Sequence, residues 1–191
     1  MRCGPDVAPV RASPDDAAEQ VTQILRAEPV QVDELRDGWA RIRTAYAYPG
    51  WVRIEALEEG DGRISADRAG SPVEVARGYL GTPYLWGGMT EAGIDCSGLV
   101  HMAYRRVGTL IPRDAAQQEA AGVAVPQPES GDLVTYGDAS ADHIAFWLGD
   151  RRILHSTGRE GGLGVVEEPE PIELRARRRE FVRFAANTSK E

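Results

Sequence analysis

Two cysteines and three histidines are the residues of this chain whose chemistry stands out. Cys96 lies in "GIDCSGLVHMAYRRVG", directly behind an aspartate and at the point where an amphipathic pattern begins. Asp95 is a good N-cap, so a helix is expected from Cys96 to Val107 with Gly108 as its stop. A cysteine in a first helical turn faces unpaired backbone N–H groups and the positive end of the dipole, which favour thiolate over thiol. Such a sulfur still wants a base. His101 lies five residues along the same helix, about 140° around its axis, and is read as a surface or partly buried residue. His143 opens a strand pattern in which His143, Ala145 and Trp147 share a face, and His155 lies on the next strand. Two such histidines reach one face only if opposed residue numbers sum to an even number, so an odd loop or a bulge is expected around Gly149 to Arg151. Given that, His155 can hold one ring nitrogen of His143 and leave the other for the Cys96 proton. That makes a nucleophile, a base and an orienter.

The elements that must position these residues follow from pattern. Residues 1–13 are proline, alanine and charge without a period and are read as a tail, with Cys3 in it. Short alternating runs broken by "RDG" and "YPG", such as Trp39 to Thr44 and Trp51 to Ile54, predict a small β-barrel over residues 14–60. The polar, turn-rich stretch 61–70 is read as a linker. A capping box at Ser71 to Glu74 starts a helix over Pro72 to Leu80, and Asp114 with Gln117 starts another. Beyond these, "GDLVTYG", "HIAFWLG", "RRILHST" and "REFVRF" read as strands, so residues 71–187 form an α+β domain with a mainly antiparallel sheet.

These residues resemble the NlpC/P60 family of cysteine peptidases, which cleave cell-wall peptides. The resemblance is carried by Tyr84-Leu85-Trp86-Gly87-Gly88, Asp95-Cys96-Ser97-Gly98, Gly131 to Val134, the strand His143 to Gly149, and His155. It implies a papain-like α+β core and a catalytic triad of Cys96, His143 and His155. The upstream barrel resembles a bacterial SH3 domain through "DGWARI" and "YPGWVRIEAL". In relatives that combine the two, the barrel narrows the cleft so that a murein peptide with a free N-terminal L-Ala is cut between γ-D-Glu and the diamino acid. The substrate-binding residues implied are Tyr48 for the free N-terminus, Asp95 and Ser97 for the amine and γ-D-Glu portion, Tyr84 and Trp86 as cleft wall, and Arg113 for the D-Glu α-carboxylate. Asp95 serves as cap alone or as cap and amine contact together. Ala115 stands where close relatives often have serine or threonine. Rival readings are another amidase or acyltransferase of this type, or a wall-binding module without catalysis.

Other chemistries lack their residues. There is no HExxH, no CxxC and no phosphate-binding glycine loop, so neither metal nor cofactor is expected. A net charge of −8 argues against nucleic acid or an anionic membrane as partner. The expected partner is a murein peptide, met by a monomer. No apolar run of leader or membrane-span length is present, which points to the cytoplasm, or to secretion if a leader has been removed.

Overall fold

Short strands with one apolar face need a partner layer to cover it, and the two larger of the four sheets among the described residues solve the problem differently. The computed structural model describes residues 1–64, 66–159 and 164–184. In chain order the elements are β1 (Arg2–Cys3), β2 (Val7–Arg11), β3 (Gln20–Leu25), β4 (Val30–Arg36), β5 (Trp39–Thr44), β6 (Pro49–Arg53), β7 (Leu57–Glu58), α1 (Pro72–Arg77), β8 (Met89–Thr90), β9 (Gly93–Ile94), α2 (Cys96–Arg106), α3 (Ala115–Ala121), β10 (Val123–Ala124), β11 (Leu133–Tyr136), β12 (His143–Gly149), β13 (Arg152–Thr157), β14 (Gly164–Pro169), α4 (Ile172–Ala176) and β15 (Arg178–Arg183). A five-stranded sheet has the order β3-β2-β6-β5-β4 and a six-stranded one the order β10-β15-β11-β12-β13-β14. All their pairings are antiparallel, and with the four α-helices among the described residues the fold is α+β.

The first sheet curls on itself around Ala8, Val10, Ile24, Ala40, Ile42 and Val52. Residues 1–13, expected as a tail, belong to this body. β2 pairs with β3 from Val7↔Leu25 onward, β1 pairs with β7, and Cys3 is wholly buried. One apolar residue in two is enough to face a small core, so Ala8 and Val10 suffice where composition suggested no structure. Pro9 is tolerated because β2 meets β6 only at Arg11↔Trp51, leaving little ladder for a missing N–H to interrupt.

Residues 61–70 hold no regular element among those described, yet they are tied down. The Arg63 N–H donates to the Ala27 carbonyl at 2.9 Å, and Asp67 pairs with Arg106. The expected boundary at residue 187 lies outside the described residues.

The second sheet is covered on both faces. Leu99, Val100 and Ala103 of α2 pack with Leu133, Ile144, Phe146 and Leu154 on one side. On the other, Val134, Tyr136, Ala145, Trp147 and Ile153 meet Leu174 and Phe181. Among the described residues no helix is long and apolar enough to cross a membrane.

Polar residues of the barrel join the two bodies. Thr22 and Gln23 of β3, and Glu28 beyond it, are buried. Gln23 Oε1 accepts from the Met89 N–H at 2.8 Å, Gln20 Nε2 donates to the Trp86 carbonyl at 2.9 Å, and Arg105 Nη1 donates to Glu28 Oε2 at 2.9 Å. His101 corrects its expected placement. It is fully buried, its ring 4.4 Å from that of Tyr46, because the face of α2 turned away from the sheet is covered by the barrel.

Replacing Arg105 by Met strands the buried Glu28 carboxylate, and a loss of about 3–5 kcal/mol is expected in urea unfolding. The double variant Glu28→Leu, Arg105→Met should recover much of that loss; an unchanged midpoint in the single variant would show that this pair does not hold the barrel in place.

Candidate active site

Asp95 is in extended conformation (φ −92°, ψ 179°), and its side chain accepts from the Gly98 N–H at 2.6 Å, which starts α2 and puts Cys96 in its first turn. The turn lies against the Trp-Gly-Gly loop. A Cβ on Gly98 would stand 2.4 Å from the Gly88 carbonyl oxygen, so only glycine permits this approach. Gly87 has φ +69° and sits so close to the barrel that a Cβ would lie 2.6 Å from the Gln20 carbonyl oxygen. The two glycine-bearing segments therefore fit each other and the barrel at once.

The N–H groups of Ile144 and Ser97 reach the Cys96 sulfur, so the sulfur rests against the start of β12, where His143 stands. His143 Nε2 is 2.7 Å from His155 Nδ1, with the rings 81° apart in plane. β12 and β13 pair as Phe146↔Leu154 and Trp147↔Ile153, then shift register between Trp147 and Gly149. That is the bulge the two histidines require to share a face. His155 Nε2 lies 3.0 Å from Glu168 Oε1, a contact made by β14, a strand that the pattern of alternation does not predict. The signal was present in Gly164-Val165-Val166, two β-branched residues behind a glycine.

Electrostatics at the sulfur overturn the expected thiolate. Burial, reinforced by the neighbouring Asp95 charge, pushes the Cys96 thiol up to about 12, and the N–H groups of Ile144 and Ser97 only partly offset it. Burial likewise brings His143 down to about 3, helped by His155 and Arg177. The resting pair is therefore a neutral thiol beside a neutral imidazole. Desolvation of a charge in a closed site outweighs what one helix terminus supplies.

A cleft of about 230 Å³ opens at Cys96. Glu19, Val21 and Tyr48 of the barrel wall one side; Trp86, Ser97 and Asp114 are among those on the other. Tyr48 donates its hydroxyl to Asp114 at 3.0 Å, while Trp86, 57 % exposed, donates its indole N–H to Glu19 at 2.7 Å. Asp95 also lines the cleft, and among the described residues no lysine or arginine does. Glu19 and Asp114 were not anticipated in the cleft: nothing local distinguishes Glu19 from other surface acids, and Asp114 was marked only as a helix cap. Tyr84 is half-buried near the sulfur, its ring against Gly158.

Arg113 departs from the role the resemblance implied. It is 1 % exposed and every N–H is committed within the protein. Nε donates to Thr22, Nη1 to Asp95 Oδ1 and Ser97 Oγ at 2.9 Å each, and Nη2 to Asp95 Oδ2 at 2.7 Å and the Gly88 carbonyl at 3.2 Å. With no donor left and no place in the cleft, it cannot meet a substrate carboxylate in this structure.

Residues 81–172 match the model of the NlpC/P60 family, and residues 10–57 that of the bacterial dipeptidyl-peptidase Sh3 domain. The solved peptidoglycan hydrolase RipB of Mycobacterium tuberculosis is 31% identical, with 66% of this chain and 72% of that one covered at a TM-score of 0.51. This chain belongs to the NlpC/P60 family. A γ-D-glutamyl-L-lysine dipeptidyl-peptidase of Bacillus cereus is 34% identical over 109 residues, 54% of this chain and 33% of the relative. An NlpC/P60 structure from the same species shares the fold over 95% of this chain and 62% of that one, with a TM-score of 0.57 at 23% identity. The chain spans from 33% to 54% of the length of the first curated relatives it matches.

Two measurements follow. A neutral thiol leaves no thiolate absorbance at 240 nm, so the spectrum of the parent minus that of Cys96→Ser should stay flat from pH 6 to 9; a rise centred below pH 8 would mean an ionised sulfur. His101 is held neutral, down to about 3 against an ordinary 6.5, by burial and by Arg113 and Arg105. Below 6.5 the unfolded chain takes up a proton here that the folded chain refuses. The stabilisation is thus complete above that pH and fades as pH falls toward 3, by up to about 1.4 kcal/mol per pH unit. Urea midpoints between pH 7 and 4 should fall less steeply in His101→Gln than in the parent.

Proposed function

We propose that this chain is a cysteine endopeptidase that hydrolyses the γ-D-glutamyl-L-diamino acid bond of murein peptides with a free N-terminal L-Ala, in cell-wall peptide recycling. The observation that carries this reading is the cleft at Cys96: small, walled by the barrel, and lined by Glu19 and Asp114 with no lysine or arginine among the described residues. Such a site favours an ammonium group and disfavours an extended chain on that side. The names of the relatives, a γ-D-glutamyl-L-lysine dipeptidyl-peptidase and a peptidoglycan endopeptidase, agree with it.

In the mechanism Cys96, His143 and His155 act in sequence. The sulfur attacks the γ-carbonyl carbon as its proton passes to the free nitrogen of His143, so charge separates only when the new bond forms. His155 holds the imidazole at its other nitrogen and stabilises the imidazolium. The Cys96 N–H, at the first helical position and without an intrahelical acceptor, serves the developing oxyanion. His143 then gives the proton to the leaving amine, and water, deprotonated by the same nitrogen, releases the acyl group from sulfur.

Tyr48 and Asp114 meet the N-terminal ammonium, Ser97 lies beside the γ-D-Glu portion, and Tyr84 and Trp86 shape the wall; Asp95, its oxygens taken by Arg113 and by the Gly87 and Gly98 N–H groups, is a cap and not the amine contact the resemblance allowed. The D-Glu α-carboxylate has neither Arg113 nor a hydroxyl at Ala115 to meet it, which leaves backbone N–H groups for that contact. Residues 14–60 and 71–187 act as specificity and catalytic domains, with residues 1–13 joined to the former.

The test is hydrolysis of L-Ala-γ-D-Glu-diamino acid tripeptide followed by mass spectrometry. The parent should release L-Ala-D-Glu and Cys96→Ala should not. N-acetylation of the substrate removes the ammonium and should lower kcat/KM by about 100-fold, the equivalent of about 2.7 kcal/mol. Equal cleavage of both substrates would dismiss the proposed role of the acidic cleft, and no cleavage of either would dismiss the peptidase reading.

A further inference from the structure

The hydrogen-bonded line through the two histidines does not stop at His155. It crosses a third strand. In the pairing of β13 with β14, His155 lies opposite Val166, so Glu168 is its diagonal neighbour on the same face. Glu168 Oε1 is 3.0 Å from His155 Nε2, and Arg159 holds the same carboxylate through Nη2, at 3.0 Å to Oε1 and 2.9 Å to Oε2. The His155 side chain is 1 % exposed, Glu168 21 % and Arg159 41 %, so this line runs from the buried pair out to solvent.

We propose that Glu168, clamped by Arg159, is a positioning residue that sets the tautomer of both histidines and thereby leaves His143 with a bare nitrogen for the Cys96 proton. The argument is one of donors and acceptors. An ionised carboxylate only accepts, so His155 Nε2 must carry hydrogen. A neutral imidazole has a single N–H, so His155 Nδ1 is an acceptor. The 2.7 Å contact then requires hydrogen on His143 Nε2, and His143 Nδ1 is left as a lone pair. Were the last acceptor replaced by a group that can also donate, the whole line could reverse and present Cys96 with an N–H instead of a base.

The surroundings keep the end of the line charged and its middle neutral. Burial raises the Glu168 carboxyl, but hydrogen bonds from Arg159 and His155 outweigh it and hold the group below the usual carboxylate range. Burial lowers His155 despite Glu168. When His143 becomes an imidazolium during attack, the carboxylate two residues away in the line offsets part of that charge without taking the proton.

This inference rests on the reading of Cys96 as nucleophile only for its kinetic consequence, and the experiment separates the two. Long-range proton–nitrogen NMR of the histidine side chains is recorded on the Cys96→Ala chain with and without Glu168→Gln. With Glu168 present, His143 and His155 should both be protonated at Nε2 and bare at Nδ1; once Glu168→Gln is introduced, that pattern should mix or invert. In the Cys96-bearing chain, Glu168→Gln should lower kcat on the tripeptide by 10–100-fold with KM within about twofold, and Glu168→Asp, which keeps the charge, should restore the Nε2 pattern. Arg159→Gln, at a more exposed site, tests the clamp independently and should move the acid limb of kcat to higher pH. An unchanged nitrogen spectrum in Glu168→Gln overturns the proposal, as does a folded Glu168→Gln enzyme with parental kcat. A parent with the expected spectrum that cleaves no peptide overturns the peptidase reading and leaves the tautomer assignment standing.

Discussion

The buried pair of Asp95 and Arg113 is the contact on which the placement of the site depends. Asp95 begins the helix that carries Cys96, and its other oxygen accepts the Gly87 N–H at 2.8 Å, so one carboxylate joins the helix to the Trp-Gly-Gly loop. Arg113 spreads its guanidinium over that carboxylate, Ser97 and the Gly88 carbonyl, and reaches across to Thr22 of the barrel. An ion pair this deep is tolerable only because every donor on the arginine has an acceptor. Removing either charged partner would leave the other charge in the interior and release the loop, the helix start and the barrel edge together.

The same desolvation that makes this pair demanding also sets the resting state of the sulfur. Closing a cleft with a second domain excludes water, and charge on a thiol then costs more than a helix terminus returns. The barrel contributes to this chemistry without supplying a reacting group. It buries the back of α2 through Tyr46 and Glu28 and walls the cleft with Glu19 and Tyr48. Across the sheet, His143, His155 and Glu168 sit at diagonal positions on adjacent strands, a spacing that the bulge after Trp147 makes possible.

Local rules made much of this legible. The caps at Ser71, Asp95 and Asp114, the start of α2 at Cys96, four of the strands in the second sheet and the need for a bulge between the histidines all follow from short-range stereochemistry, which a sequence writes directly. Residues 2–11 and 164–169 were not legible as strands because their apolar residues are few and their stability comes from neighbours distant in the chain.

What the sequence by itself determined is which groups can react and on what element each stands: Cys96 at a helix start, His143 and His155 on successive strands. Only the tertiary structure decided their state and their company. The charge on the sulfur, the commitment of Arg113 to Asp95, the burial of His101 and the carboxylate behind His155 are sums over groups from distant segments, and electrostatics in a desolvated interior depends on those distances rather than on order along the chain.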